Sequence, residues 1–244
     1  MDINDQVAIV TGGAVRVGRA LALALAGKGA RVVVHYGRSA GPALEVVEQI
    51  EAQGGQALAV QADLGQPSQA PAIVERAVER FGRADILVNS AAIFQPGTLA
   101  DTTEENWDRH FNINLKSPVF LCQAFAAQVG DDRRAHIVNI TDFRASLAMT
   151  GHLAYTLTKS SLITLTRMLA RELGPNIQVN AIALGAILPP PGKDQAYLDK
   201  LAENIPLRRV GSPGEVARAL VYLLESEFVS GEVTFVTGGE HLAR

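Results

Sequence analysis

Thr11-Gly12-Gly13-Ala14-Val15-Arg16-Val17-Gly18 decides the fold of this chain. The stretch follows an apolar, β-branched run at 6–11 and opens an Ala/Leu-rich amphipathic stretch at 17–28. Glycine lets backbone come close to a phosphate, and the start of a helix supplies N–H donors and positive potential. A glycine turn of this kind, after the first strand of a strand–helix–strand unit, predicts a dinucleotide site. Its spacing departs from G-x-G-x-x-G, and Arg16 stands where glycine is expected. Two readings of Arg16 are open: a solvated first-turn residue, or a cation held there for an anion, because positive charge alone opposes the helix dipole.

Outward from that turn, short apolar runs alternate with longer amphipathic ones. Strands are expected at 6–11, 30–36, 56–62, 85–89, 135–141, 177–182 and 232–236. Helices are expected at 17–28, 42–53, 69–81, within 103–129, and at 153–173, 194–203 and 213–224. Strands without polar alternation are buried on both faces. The rhythm predicts one α/β domain, a Rossmann-type doubly wound parallel sheet of about seven strands, with ligands at the strands' carboxyl ends. Residues 186–193, which contain Pro189-Pro190-Pro191-Gly192, interrupt the pattern as a stiff loop, within an expected substrate loop at about 186–207.

Composition narrows the function classes. The 244 residues are 48% hydrophobic with a net charge of −3, and Lys and Arg are scattered. That argues against a nucleic-acid groove or a membrane-surface patch. No apolar run approaches the roughly 20 residues that span a bilayer, and Met1-Asp2-Ile3-Asn4-Asp5 lacks the features of a signal peptide. One cysteine, Cys122, forms no internal disulfide and fits a reducing cytoplasm. The five histidines show no metal-ligand spacing, so no metal is expected. Ser146, Ser160 and Ser161 lack a G-x-S-x-G setting, which disfavours a hydrolase.

Further along, His35-Tyr36-Gly37-Arg38-Ser39 ends the second strand without the acid that would take a ribose hydroxyl of NAD. Arginine and serine suit a 2′-phosphate, so NADP(H) is the expected cofactor. Asp63 reads either as an acceptor for adenine or as a helix N-cap. Tyr155 and Lys159 are four apart, on one helix face. The ammonium favours phenolate, so the tyrosine's pKa is expected to fall toward working pH. Such a group donates a proton to a substrate that is receiving hydride. Asp142, thirteen residues before the tyrosine, pushes that pKa the other way.

Together Thr11-Gly12…Gly18, Asp63-Leu64, Asn89-Ser90-Ala91-Ala92, Asn114-Leu115, Tyr155-x-x-x-Lys159 and Asn180 to Gly185 resemble the short-chain dehydrogenase/reductase family over essentially the whole chain. The resemblance implies Tyr155 as general acid, Lys159 as its tuner and ribose ligand, and Asn114 as holder of a relay water. It implies a cofactor site of Gly12, Arg16, Val17, Gly18, His35, Tyr36, Arg38, Ser39, Asp63, Leu64, Asn89, Ser90, Ala91, Tyr155, Lys159 and Gly185. It also implies a homotetramer.

Three positions depart from the family pattern. Asn89-Ser90-Ala91-Ala92 replaces Asn-Asn-Ala-Gly, Leu184-Gly185 replaces Pro-Gly, and Asp142 stands where serine is usual. An ionised aspartate cannot donate to a carbonyl, and Thr141 faces the opposite side of the strand. Arg16, His35-Tyr36-x-Arg38-Ser39, Phe94, Asp142 and Gly238-Gly239-x-His241-Leu242 are similar to pteridine reductases and to bacterial dihydromonapterin and dihydrofolate reductases. That narrower resemblance implies a substrate site of Arg16, Phe94, Asp142 and Tyr155, with Phe94 stacked on a pterin. For Phe94, simple core packing stays an open alternative. Rival expectations are a ketoreductase of the same fold and a non-catalytic NADP-binding sensor.

Overall fold

The computed structural model describes residues 1–244 except Ala148, Pro191, Ala243 and Arg244. The expected stiff Pro-rich loop therefore lies outside the described residues at Pro191. Chain order is β1 (Val7–Val10), α1 (Arg16–Gly27), β2 (Arg31–Tyr36), α2 (Ala40–Ala52), β3 (Ala57–Gln61), α3 (Ala70–Phe81) and β4 (Ile86–Asn89). There follow α4 (Glu104–Phe111), a π turn (Asn112–Lys116), α5 (Ser117–Gln128), β5 (Ala135–Asp142) and α6 (Arg144–Leu147). The last elements are α7 (Leu153–Glu172), β6 (Ile177–Leu184), α8 (Gln195–Ala202), α9 (Pro213–Glu225) and β7 (Val233–Val236).

The seven strands form one parallel sheet in the order β3-β2-β1-β4-β5-β6-β7. Strand order reverses between β1 and β4, which leaves a crevice above their carboxyl ends. Alternate residues of each strand feed two cores, as period-2 geometry requires. Ala8 and Val10 of β1 pack with Leu21, Val216 and Leu220 from α1 and α9. Ile9 packs with Ile73 and Phe125 from α3 and α5. Phe125 is fully buried, and its truncation to alanine costs about 3–5 kcal/mol.

Local signals set the helix ends. Gly82 is left-handed at φ 80° and stops α3. The Thr103 hydroxyl caps α4, and Ser212 caps α9 ahead of Pro213. At the sheet's amino-terminal end, buried Asp85 accepts Val7 N at 2.9 Å and sits 2.8 Å from Arg83 Nε, tying β1 to β4. That end is braced, and the opposite end is left to the crevice. The seven expected strands are all present. β5 and β6 run on to Asp142 and Leu184, beyond the expected 141 and 182, and these two residues pair at the carboxyl edge. α6 was not expected. The helical region expected at 103–129 is two helices joined by the π turn.

Candidate active site

A cavity of about 740 Å³ lies at the carboxyl ends of the strands. The glycine turn, the ends of β2 and β3, and the face of α7 that carries Tyr155 and Lys159 all line it. The turn admits no larger residues at its two key glycines. A Cβ on Gly18 would lie 2.1 Å from Gly12 O, and one on Gly12 would lie 3.0 Å from Ala91 Cα. Gly12 also has φ +63°. Val15, at the N-cap of α1, has no side chain able to cap, so the first N–H groups of that helix remain available to an anion.

His35 fixes this turn. Its Nδ1 accepts Gly12 N at 3.2 Å, its Nε2 donates to Ala62 O at 3.1 Å, and its carbonyl accepts Gly13 N at 3.0 Å. Burial lowers its pKa to about 4, which keeps the ring neutral and able to accept. Thr11 fixes the far side: its hydroxyl accepts Ser90 N at 2.9 Å and Ala91 N at 3.0 Å. Arg16 has φ 55°, unusual for a residue with a side chain, and its guanidinium donates to Pro189 O at 2.8 Å. Arg38 and Ser39 line the cavity beyond β2, with Ser39 at the N-cap of α2.

At the other end of the cavity, the Tyr155 hydroxyl donates to Asp142 Oδ2 at 2.9 Å. Asp142 Oδ1 accepts Arg144 N at 2.8 Å, so both carboxylate oxygens are fixed. Lys159 Nζ donates to Ile140 O at 2.7 Å and lies 5.9 Å from the Tyr155 ring. Burial and the Asp142 carboxylate hold the Tyr155 hydroxyl well above the usual phenol range. Burial raises Asp142 from its ordinary value, and burial draws Lys159 down to about 8. The expected depressed phenol is thus corrected: desolvation and a neighbouring carboxylate outweigh an ammonium directed at a carbonyl.

Asn114 sits in the π turn, and its side chain is spent on structure. Its Oδ1 accepts Ile93 N at 2.9 Å, and its Nδ2 donates to Ile93 O at 3.0 Å and to Thr158 Oγ1 at 3.3 Å. It holds Ile93 against the cavity and ties that loop to α7. Phe94 stacks on His152 at 4.1 Å and meets Tyr155 edge-on at 4.7 Å. One face of Phe94 is therefore covered by His152. Asn89 is buried and donates to Asn139 Oδ1 at 2.9 Å, and Tyr36 ends β2 against the core; neither lines the cavity, contrary to expectation. Val17, Asp63, Leu64, Ser90, Ala91 and Gly185 line the cavity as expected.

Sequence reasoning missed Arg144, whose guanidinium lies 6.0 Å over the Phe94 ring, and His152 behind that ring. It also missed buried His110, which donates to Asn106 O at 2.8 Å and accepts Gln95 N at 3.3 Å, bracing the loop after β4. None has a motif. Phe94, His110, Arg144 and His152 are spread over positions 94–152, so nothing in the sequence brings them together.

Comparison with known proteins agrees with this geometry. The family model described as enoyl-(acyl carrier protein) reductase matches residues 13–241. The 3-oxoacyl-(acyl-carrier-protein) reductase of Staphylococcus epidermidis is 34% identical over 244 residues, covering 98% of this chain and 100% of that protein. The alternative dihydrofolate reductase 1, FolM, of Brucella canis, solved with NADP, superposes with a TM-score of 0.95 at 34% identity, covering 100% of this chain and 96% of that one. A short-chain dehydrogenase of Burkholderia cenocepacia, also solved with NADP, gives 0.91 at 33% identity, covering 98% and 99%. Fold, cavity and similarity along nearly the whole length converge: the chain belongs to the short-chain dehydrogenase/reductase family of oxidoreductases.

Proposed function

We propose that this protein is an NADPH-dependent reductase of pteridines, acting on a C=N bond of a dihydropterin- or dihydrofolate-like substrate. The observation that carries the reading is the 2.9 Å hydrogen bond from Tyr155 to Asp142. A carboxylate beside the proton donor disfavours a developing alkoxide but suits protonation of a ring nitrogen. The similarity to FolM of Brucella canis points the same way.

The residues present fit NADP(H). The glycines let the turn close where a Cβ would strike Gly12 O or Ala91, the first N–H groups of α1 have no side-chain cap and are open to an anion, and Arg38 with Ser39 would take the 2′-phosphate. Bound NADPH supplies hydride to the C=N carbon. Tyr155 gives its proton to the nitrogen. The phenolate is then reprotonated from solvent through Asp142, whose raised pKa favours its taking up that proton and passing it along their hydrogen bond. Lys159 anchors α7 to β5 through Ile140 and stabilises the transient phenolate. Phe94 does not line the cavity, and His152 stacks on it while Arg144 lies over its ring. Stacking on a flat heterocycle would therefore require Arg144 or His152 to give way. Arg16 and Ser90 would offer donors to the heterocycle's polar edge.

A second reading, reduction of a 3-oxoacyl or other ketone, has its own support. The Staphylococcus epidermidis enzyme is as similar in sequence as FolM, and a protonated Asp142 is able to donate to a carbonyl. Following NADPH absorbance with dihydropteridines and with a panel of ketones decides between them. Rapid turnover of ketones with none of pterins overturns the pteridine reading. A homotetramer belongs to the same proposal: Leu157 and Met168 are exposed apolar residues about three turns apart on one face of α7, with Ser161 and Thr164 between them, and a second copy would cover that face. Light scattering of the purified protein tests it. Among the described residues no helix is long and apolar enough to cross a membrane, and a reducing, cytoplasmic location suits the buried thiol of Cys122.

A further inference from the structure

The chain's last described turn reaches back to the wall of the cavity. β6 ends at Leu184, and Gly185, Ile187 and Leu188 then line the cavity. Ala186, between them, has both backbone groups fixed: its carbonyl accepts Gly211 N at 2.9 Å, and its N–H donates to Glu240 Oε2 at 3.1 Å. The Glu240 carboxylate presses against the wall closely enough that a Cβ on Gly185 would lie 2.7 Å from Oε2 and 2.8 Å from Thr237 Cα. This gives the glycine at 185 a physical reason of its own.

The turn carrying Glu240 is itself held. Glu240 N donates to Thr237 O at 3.1 Å, and Gly238 O accepts Leu207 N at 3.1 Å. Gly238 and Gly239 take left-handed conformations, with Ile205 and Pro206 against the positions a Cβ would occupy. The carboxylate is half-buried and faces Arg144 and Asp142 from the end of β5, and burial raises its pKa. A carboxylate kept in such a place, with a backbone N–H as its hydrogen-bond partner, does positional work.

We propose that Glu240 is a positioning residue for the active site: its carboxylate oxygen sets the backbone that leaves β6 and so the wall facing Tyr155 and Asp142. The proposal rests on reading this cavity as the place of reduction. Its direct readout, however, needs no substrate. Amide hydrogen exchange over 185–188 is measured in wild type and in Glu240→Ala, Glu240→Gln and Glu240→Asp, with KM and kcat determined alongside. Glutamine keeps an acceptor oxygen at the same reach; aspartate keeps the charge but is one methylene short. Alanine and aspartate variants are expected to exchange faster over 185–188 and to raise KM about 2- to 10-fold with kcat changed less, the scale of one lost hydrogen bond. Glutamine is expected to stay within about twofold of wild type. Wild-type exchange and KM in the aspartate and alanine variants overturn the proposal, as does a glutamine variant impaired like alanine. Should alanine fail to fold, the aspartate and glutamine pair decides. Loss of the pteridine assignment leaves the exchange result standing.

Discussion

Asp142 Oδ2 accepts the Tyr155 hydroxyl at 2.9 Å while Asp142 Oδ1 is held by Arg144 N at 2.8 Å. The proton donor of this site is therefore oriented by a carboxylate that cannot rotate away. Replacing Tyr155 with phenylalanine removes the proton while leaving Phe94 its edge contact. Turnover is expected to fall about 10²–10⁴-fold, with NADPH affinity within a few-fold of wild type. Stopped-flow and fluorescence titration measure the two, and undiminished turnover would exclude Tyr155 as the acid.

Asp142→Ser separates the two substrate classes. It removes the carboxylate that returns the proton and supplies a hydroxyl able to donate. Pteridine turnover is expected to drop about tenfold or more, and turnover of any ketone tested is expected to rise. The pH profile should change as well. In wild type, the Lys159 ammonium and the coupled Asp142–Tyr155 pair must both carry protons, so activity declines as pH rises, the lysine contributing through about 8. The serine variant should lose the Asp142 contribution to that decline and keep the one at about 8.

Arg38→Ala tests cofactor choice. Loss of a cation at a 2′-phosphate is expected to weaken NADPH about 10- to 100-fold while leaving NADH nearly unchanged. Parallel KM measurements with both cofactors check this, and equal losses for the two would place Arg38 outside the phosphate site.

Two buried histidines make stability depend on pH. Burial lowers His35 and His136 to about 4 from an ordinary 6.5, so the fold holds both neutral. Each contribution is complete above the unfolded value and is lost as pH falls from about 6.5 toward 4, on the order of 3 kcal/mol apiece. Neither ring nitrogen of His136 has a protein partner among the described residues. His136→Leu is therefore expected to be neutral or stabilising by about 1 kcal/mol at neutral pH and to flatten the acid slope. Urea denaturation across that range measures it, and an unchanged slope would remove His136 from the account.

What was legible in the chain was local or periodic. The turn from Thr11 to Gly18, the apolar strands and the Tyr155–Lys159 spacing each follow from a few consecutive residues, and the structure has them in place. What was not legible depends on distant partners. The direction of the Tyr155 shift is set by how deeply α7 sits beside β5, which no spacing reports. Asn114 was legible as a residue, but its commitment to Ile93 and Thr158 comes from the π turn, whose extra residue has no compositional mark. His35 was read as a cofactor contact from its place at the end of the second strand; only the fold reveals that one imidazole serves Gly12 and Ala62 together.

The strand order has a consequence for how the chain is made. β1 pairs with β2 on one side and with β4 on the other, and its neighbour across the crevice arrives only after three helices have been synthesised. β1, β2 and β3 bring His35 to the glycine turn, but Ser90 and Ala91, which hold Thr11, come only after β4, and α1 packs against α9. The proton-donating end depends on later contacts still: Asp142 pairs with Leu184, and the wall beyond Leu184 needs Glu240. Cradle and chemistry are therefore both completed by distant partners, and the chain gains them together.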